Sequence, residues 1–191
     1  MNVFRGRKVV SREGLQVDLS VALDNKIVGL FFSASWCPPC RRFLPLLVEF
    51  YEKLREREAP LEIVFISSDV SSADMSEYMR HHGNWLSLAH SDVYARQLKQ
   101  RYSVWTIPKL IVVAPDGEIV TTRGRAEVTE MGIDCFDDWV TSCARLCNEN
   151  DVDDVDGQDD DPERGKHSAT FVAVDGTRSD SQENDILYTQ T

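Results

Sequence analysis

Long apolar runs along the chain predict the centre of a β-sheet. The segments KIVGLFFSAS, Lys26 to Ser35, and LEIVFISS, Leu61 to Ser68, lack the alternation of half-buried strands, and such runs are typical of strands covered on both faces. The segment KLIVVAPDGEIVTTRG predicts two further strands around Pro115-Asp116-Gly117, because proline presets φ and glycine tolerates positive φ. Alternation around Glu13-Gly14 predicts a short N-terminal hairpin.

Apolar residues at helical spacing occur between and after these strands. Helices are predicted directly after the cysteines of WCPPC, from about Ser72 to His81, within SDVYARQLKQRY, and within CFDDWVTSCARLC. Strands that alternate with helices, followed by a hairpin and a closing helix, predict an α/β fold with a central mixed β-sheet flanked by helices.

The charge of the chain is concentrated at its C-terminal end. The net charge is −11, and residues 148–191 contain 13 Asp and Glu against 3 Lys and Arg, whereas residues 1–147 contain 19 against 18. The C-terminal segment cannot bury enough apolar area to offset its ordering entropy. We therefore expect a folded domain over 1–147 and a disordered acidic tail over 148–191. Nucleic-acid binding is not expected, because it needs a concentrated basic surface.

The N-terminal residues and the number of cysteines indicate the cellular compartment in which the protein acts. The start, MNVFRGRKVV, lacks the apolar core and cleavage site of a secretory signal, and no window approaches the length of a membrane span. Neither a signal peptide nor membrane insertion is therefore expected. Five cysteines, an odd number, are typical of a reducing compartment. A cytoplasmic location is predicted, and nuclear entry and unconventional release are left open.

The segment SASWCPPCRRF places two cysteines where a predicted buried strand gives way to a predicted helix. Unpaired N–H groups and the positive end of the helix dipole stabilise a thiolate there, so Cys37 is predicted to be the nucleophile. Cys40, one turn further along, is predicted to be the resolving thiol. Pro38 and Pro39 lack N–H groups and stiffen the loop between the two cysteines.

Two other interpretations of the pair are a zinc site and inert core thiols. A zinc site would need further ligands, and the most plausible are Cys143 and Cys147, which lie on a helical face that is otherwise used for packing. A CxxC at a strand–helix junction favours the redox interpretation over both alternatives, and no metal is expected. Together with Cys135, these two distant cysteines are predicted to be small packing residues.

Four segments, in order along the chain, resemble one family. FFSASWCPPCRRFLPLLVEFY is similar to the active-site segment of the tryparedoxin and nucleoredoxin branch of the thioredoxin superfamily. VFISSDVSSADMSEYM, RYSVWTIPKLIVVAPDGEIVTTRGR and CFDDWV match further parts of the same family. The resemblance covers about Val3 to Leu146 and does not extend into the acidic tail. It implies a thioredoxin fold with an N-terminal β-hairpin.

The resemblance also implies a substrate groove around the cysteine pair, formed in part by the two prolines of CPPC. Pro108 matches a proline that is cis in that fold. The backbone of Ile107 would then hydrogen-bond the substrate chain beside the disulfide. Trp36 would shield the nucleophilic sulfur, and Trp105 is expected either at the rim of the groove or in the core.

One departure from the family concerns proton transfer. Typical thioredoxins carry a buried Asp six residues before the first cysteine, and here that residue is Phe31. Asp69, at the end of the second predicted strand, is a candidate proton relay in its place. A helix cap at Asp69 and transfer through water are the alternatives. His81 and His82 end a predicted helix, where capping or solvation is expected rather than catalysis.

Two functional hypotheses follow. The first is a thiol–disulfide oxidoreductase that reduces protein disulfides through Cys37 and Cys40 and needs no organic cofactor beyond that redox-active disulfide. Its partners would be disulfide-containing proteins and an upstream dithiol reductant, such as a thioredoxin reductase or the glutathione system, and a monomer is expected. The second, suggested by the family's association with survival of photoreceptors and other sensory neurons, is a non-catalytic signalling or binding protein.

Overall fold

Short strands and helices follow one another from Val9 to Asn150 in the computed structural model, which describes residues 4, 7, 9–17 and 19–150. The strands are β1 (Val9–Val10), β2 (Gln16–Val17), β3 (Ile27–Ser33), β4 (Leu61–Ser67), β5 (Leu86–Leu88), β6 (Lys109–Val113) and β7 (Ile119–Thr121). The helices are α1 (Leu19–Ala22), α2 (Pro38–Glu56), α3 (Ser72–Met79), α4 (Val93–Arg101), α5 (Gly124–Met131) and α6 (Cys135–Asn150), with a 3-10 turn at Gly132–Asp134.

The strands form one mixed sheet in the order β2-β1-β5-β4-β3-β6-β7. The strand β3 pairs in parallel with β4 and antiparallel with β6, so that Phe31 lies opposite both Phe65 and Leu110. On the other side, β5 pairs in parallel with β4, and the N-terminal hairpin β1–β2 extends that edge in antiparallel fashion. The predicted α/β fold, a mixed sheet with flanking helices and an N-terminal hairpin, is confirmed.

The core is divided between the two faces of the sheet. Along β3, Ile27 and Phe31 contribute to the cluster beneath α2, α3 and α6, whereas Val28, Leu30 and Phe32 contribute to the cluster beneath α4. Every residue of β3 is buried, because helices cover both faces of the sheet at this strand. This explains why the sequence shows a continuous apolar run there instead of alternation.

Among the elements that the sequence pattern does not predict are β5 and α5. The strand β5 has three residues, too few to display a period of two. The helix α5 begins without a side-chain cap, so its start carries no local signal. It starts at Gly124, where a Cβ atom would lie 3.1 Å from atoms of Leu110 and Val112. The absence of a side chain lets α5 approach β6 closely.

The helix predicted within CFDDWVTSCARLC continues to Asn150, past the end of the domain expected from the charge pattern. The disordered tail predicted over 148–191 lies, from residue 151 onward, outside the described residues.

His82 is not at a solvated helix end, which corrects the sequence prediction. Because α3 ends at Met79, the following turn carries His82 into the core, where its side chain is 3% exposed. Its ring packs against Phe65 and Tyr78, at centroid distances of 4.5 and 4.6 Å. Its Nδ1 accepts a hydrogen bond from Trp85 Nε1 at 3.3 Å. Burial lowers the pKa of His82 to about 3, so the ring is neutral at pH 7.

Candidate active site

Cys37 and Cys40 form a disulfide at the junction of β3 and α2. Their Cα atoms are 5.2 Å apart. Cys37 is the N-cap residue of α2, and Cys40 lies in its first turn. Cys37 is 4% exposed and Cys40 is fully buried. Of the two cysteines, Cys37 is therefore the one that keeps some contact with solvent.

The first turn of α2 directs a backbone N–H at this sulfur. Pro38 and Pro39 occupy the first two helical positions and have no N–H. The first amide of the helix is therefore that of Cys40, and it donates to Cys37 Sγ at 3.3 Å. A helix N-terminus and an N–H directed at the sulfur both favour a thiolate. When the disulfide is reduced, this arrangement stabilises the charged form of Cys37.

The loop before β6 lies against the disulfide. The Ile107–Pro108 peptide bond is cis, and the carbonyl oxygen of Ile107 lies 3.8 Å from Cys37 Sγ. The Ile107 side chain packs on the small cluster of Ala34 and the two cysteines. The structure therefore brings together the cysteine pair and the Ile107–Pro108 backbone, which the sequence connects only through the family resemblance.

Asp69, the candidate proton relay, holds the turn that precedes Cys37. Its Oδ1 accepts a hydrogen bond from Ser35 N at 2.7 Å, and its Oδ2 accepts one from Ser67 Oγ at 2.7 Å. From α2, Arg41 donates to the carbonyl oxygen of Ser35 at 2.8 Å. Asp69 is not the cap of α3, since that position is taken by Ser71. Both of its carboxylate oxygens are thus engaged in fixing the shape of the turn.

Trp36 lies at the surface beside the disulfide and is 56% exposed. Its Nε1 donates to the carbonyl oxygen of Ser68 at 3.1 Å, and Lys99 Nζ donates to Ser68 Oγ at 2.7 Å. Trp105 is 87% exposed, which excludes the core position that the sequence left open. Sequence reasoning missed Ser68 and Lys99, because nothing in their spacing indicates contact with an active-site turn.

A polar groove of about 450 Å³ adjoins Pro108 and was not predicted either. Three basic side chains line it, and the segment VTTRGR supplies two of them. The cations are Lys109, Arg123 and Arg125, and the acidic side chain in the lining is Glu130. The groove therefore has an excess of positive charge next to the cis peptide.

Phe31 occupies the position of the family's buried Asp, and it is fully buried. Its ring packs among Phe43, Phe65 and Trp85, with centroids 6.0, 6.0 and 6.4 Å away. The ring of His82, which is neutral at pH 7, also lies 6.0 Å away, and none of these side chains is a carboxylate. A proton that leaves Cys40 therefore has no carboxylate acceptor at the position of the missing Asp.

Three cysteines of the alternative zinc site, Cys37, Cys40 and Cys143, lie in two separate clusters of the core. Cys143 packs in the large cluster with Phe136 and Trp139, whereas Cys37 and Cys40 lie in the small cluster with Ala34. Among the residues that the structure describes, no group of three or more His, Cys, Asp and Glu side chains could hold a metal ion.

Within the part of the chain that the structure describes, no helix has the length and apolar character needed to cross a membrane.

The fold and the buried cysteine pair define a thioredoxin-like protein, and the thioredoxin-like family model matches residues 25–119. Human nucleoredoxin-like protein 1 is 31% identical over 150 residues, which cover 72% of this chain and 71% of that protein. Nucleoredoxin of Xenopus laevis is 40% identical over 125 residues, 65% of this chain and 30% of that protein. The crystal structure of thioredoxin from Wuchereria bancrofti, 36% identical, matches 74% of this chain and 99% of its own with a TM-score of 0.64.

The chain belongs to the nucleoredoxin family of thioredoxin-like proteins. This membership and the disulfide between Cys37 and Cys40 support a redox function. The chain spans 30% of the length of the frog nucleoredoxin and 22% of that of Arabidopsis thaliana nucleoredoxin 1.

Proposed function

We propose that the protein is a thiol–disulfide oxidoreductase that reduces disulfides of other proteins. The observation that carries the proposal is the disulfide at the N-terminus of α2, in which Cys37 is the less buried cysteine and its Sγ accepts a hydrogen bond from Cys40 N–H. A nucleophilic thiolate needs a polar or cationic environment and access to the substrate. Cys37 meets both needs better than Cys40, which is fully buried and suited to resolve an intermediate.

In the proposed reaction, the Cys37 thiolate attacks one sulfur of a substrate disulfide, and the other substrate sulfur leaves as a thiolate and takes up a proton. Cys40 then loses its proton and attacks Cys37 Sγ. The second substrate thiolate leaves, and the Cys37–Cys40 disulfide forms. Two electrons pass from the protein to the substrate. An upstream dithiol, from a thioredoxin reductase or the glutathione system, returns them, and no organic cofactor takes part.

The cis peptide lies against Cys37, and the exposed Trp36 precedes it in the chain; we propose that they form the substrate groove. The backbone of Ile107 would hydrogen-bond an extended substrate segment, as a strand edge does. Pro38 and Pro39 would border the groove on the α2 side. We place the reaction in a reducing compartment such as the cytoplasm, because a dithiol couple needs a supply of reductant. We also propose that the protein acts as a monomer.

Reduction of insulin disulfides in the presence of a dithiol tests the proposed function. The full chain, purified and shown to be folded, is expected to accelerate the precipitation of the reduced insulin B chain well above the rate of the dithiol alone. No acceleration from folded protein would contradict the oxidoreductase proposal. Binding of a partner that is unchanged by loss of both cysteines would then favour a scaffold role.

The role of Asp69 can be separated from proton transfer by two substitutions. Asp69→Asn keeps an oxygen that accepts from Ser35 N–H but cannot take up a proton at neutral pH, whereas Asp69→Ala removes the acceptor. We expect Asp69→Ala to lower kcat/KM for insulin about tenfold, the size of a lost hydrogen bond to a charged group. Asp69→Asn is expected to keep at least about half of the activity. Equal losses in both variants would indicate that the carboxylate is a proton relay.

The groove of Lys109, Arg123 and Arg125 should favour substrates with acidic residues near the disulfide. Exposed charge pairs are worth about 0.2–1 kcal/mol, so a peptide disulfide flanked by Glu should react about two- to fivefold faster than one flanked by Lys. The preference should disappear in an Arg123→Ser/Arg125→Ser variant and in 0.5 M salt, which screens exposed charges. Arg145→Ser, outside the groove, is the control. A preference that persists in the double variant would exclude the groove as its source.

We also propose a finer assignment within the family. The segments SSADMSEYMRHHGNWLSL and IPKL resemble nucleoredoxin-like protein 2, a homologue of the rod-derived cone viability factor. On that basis the reductase would maintain redox homeostasis and viability in sensory neurons. Rescue of stressed photoreceptor cells by the wild-type chain but not by a variant without Cys37 would support this assignment, and equal rescue by both would favour a trophic role without catalysis.

A further inference from the structure

Lys99 connects α4 to the active-site turn through Ser68. The helix α4 packs on the opposite face of the sheet from α2, and the long side chain of Lys99 extends to the β4–α3 loop. Its Nζ donates to Ser68 Oγ at 2.7 Å, and the carbonyl oxygen of the same serine accepts from Trp36 Nε1 at 3.1 Å. Trp36 immediately precedes Cys37. One residue therefore receives a hydrogen bond from α4 on its side chain and one from the tryptophan on its backbone.

The environment of Lys99 differs from that of its neighbours on the helix. Arg96 is exposed, and Arg101 lies over the ring of Tyr102 with its Cζ 5.4 Å from the ring centroid. The Lys99 amine is partly withdrawn from water, and this desolvation lowers its pKa below the ordinary value. Burial of an amine is unfavourable unless hydrogen bonds replace its water. The bond to Ser68 Oγ is such a replacement.

The orientation of Trp36 depends on few contacts. More than half of its surface is exposed, so packing alone does not fix its ring. The hydrogen bond from its Nε1 to Ser68 ties the ring to the β4–α3 loop. The backbone of Ser68 is in turn bonded to β3, since Ser68 N donates to Ser33 O at 2.9 Å. Its side chain is held by Lys99.

We propose that Lys99 is a positioning residue for the redox site: by holding Ser68, it fixes the indole of Trp36 beside Cys37 in the orientation that a protein substrate meets. This inference rests on the proposed oxidoreductase function. Under this inference, α4 controls the position of one wall of the substrate groove. No side chain of α4 belongs to the small cluster around the cysteine pair. Loss of Lys99 should therefore affect large substrates that touch this wall more than small disulfides that do not.

The experiment compares Lys99→Met, Ser68→Ala and the double variant, with Arg96→Met as the control for a lost charge on the same helix. For insulin, each single variant is expected to lower kcat/KM about fivefold, the equivalent of one hydrogen bond of about 1 kcal/mol, mainly through KM. For a small aromatic disulfide the change should stay below about twofold. The double variant should lose no more than either single variant, because both remove the same contact. Lys99→Arg, which keeps a cationic donor, should restore most of the activity.

Fluorescence of Trp36 gives a readout that does not depend on turnover. Trp85 and Trp139 are buried, so in a Trp105→Phe background Trp36 is the exposed indole among the remaining three. Acrylamide should quench it more strongly in Lys99→Met and Ser68→Ala than in Arg96→Met. Unchanged quenching, together with equal losses for insulin and the small disulfide, would overturn the inference. If the wild type reduced no disulfide while quenching changed as expected, the proposed function would fail and the positioning of Trp36 would stand.

Discussion

Replacing Cys37 with serine is expected to lower insulin reduction more than about a hundredfold, to the rate of the dithiol alone. A hydroxyl in place of the thiol is not ionised at neutral pH and cannot form the mixed disulfide. The N–H of Cys40 and the positive end of α2 stabilise a thiolate at this position. Neither effect is large enough to ionise a serine hydroxyl at neutral pH. The measurement is the initial rate of precipitation at several protein concentrations, so that small residual activity is resolved.

Cys40→Ser should behave differently, because it removes the second step and keeps the first. The Cys37 thiolate still attacks the substrate, but no neighbouring thiol releases the product, so a mixed disulfide between the protein and insulin accumulates. It is detected as a higher mass that disappears on reduction. If Cys40→Ser forms no such adduct while the wild type turns over, the assignment of nucleophile and resolving thiol is wrong.

Cys135→Ser is the matched control for these substitutions. Burial raises the pKa of Cys135 to about 12, and its Sγ donates to Gly132 O at 3.1 Å, a bond that a serine hydroxyl can also make. A thiol of this kind is protonated and inaccessible, so its loss should leave insulin reduction unchanged. A Cys135→Ser variant as inactive as Cys37→Ser would point to general damage to the fold and not to chemistry at the pair.

The central strands and the cysteine pair can be predicted from the sequence because each carries a strong local signal. The run KIVGLFFSAS becomes β3, buried on both faces, and the following CPPC coincides with the start of a long amphipathic helix. In contrast, β5 and α5 depend on partners that are distant in the chain. The pairing of β5 with β4 and the close approach of Gly124 to β6 stabilise them, and neither contact has a counterpart in local spacing.

The same distinction applies to the site. The sequence singles out Cys37 by its place before a helix, but it gives no sign that Lys99 reaches Ser68 from another face of the sheet. For His82 the local signal was misleading. A histidine near the end of a helix is usually solvated, and here the residues that follow it lead into the core, where Trp85 supplies a hydrogen-bond donor. Tertiary contacts overrode a preference that is weak on the scale of stability.

The buried His82 should make the free energy of unfolding fall strongly as the pH is lowered. Its pKa is lowered to about 3 by burial, with smaller contributions from the charges of His81 and Arg12. In the unfolded chain the pKa returns to about 6.5. Below that value the unfolded state binds a proton that the folded state does not, so the stability supplied by the neutral ring is complete above pH 6.5 and is lost as the pH falls towards 3.

Urea unfolding of the oxidised protein at pH 7.5 and pH 5.0 measures this contribution. At pH 5.0 the proton bound by unfolded His82 should lower the free energy of unfolding by about 2 kcal/mol. His82→Gln keeps an acceptor for Trp85 Nε1 but does not titrate in this range, and it should lose less stability than the wild type between the two pH values. His81→Gln, at the exposed neighbouring residue, should keep the wild-type difference.

The difference in unfolding free energy between the two pH values is measured for the wild type and for His82→Gln. Subtracting one difference from the other removes the contribution of the other groups that titrate over the same range. Burial raises the pKa of Glu62, which acts in the opposite direction, since a raised pKa contributes stability that is lost as the pH rises through it. That contribution is the same in the wild type and in His82→Gln. If the histidine variant folds too weakly for urea titration, NMR titration of the wild-type ring gives the answer directly. A His82 that takes up a proton near pH 6.5 in the folded protein would mean that the aromatic cluster around it admits water.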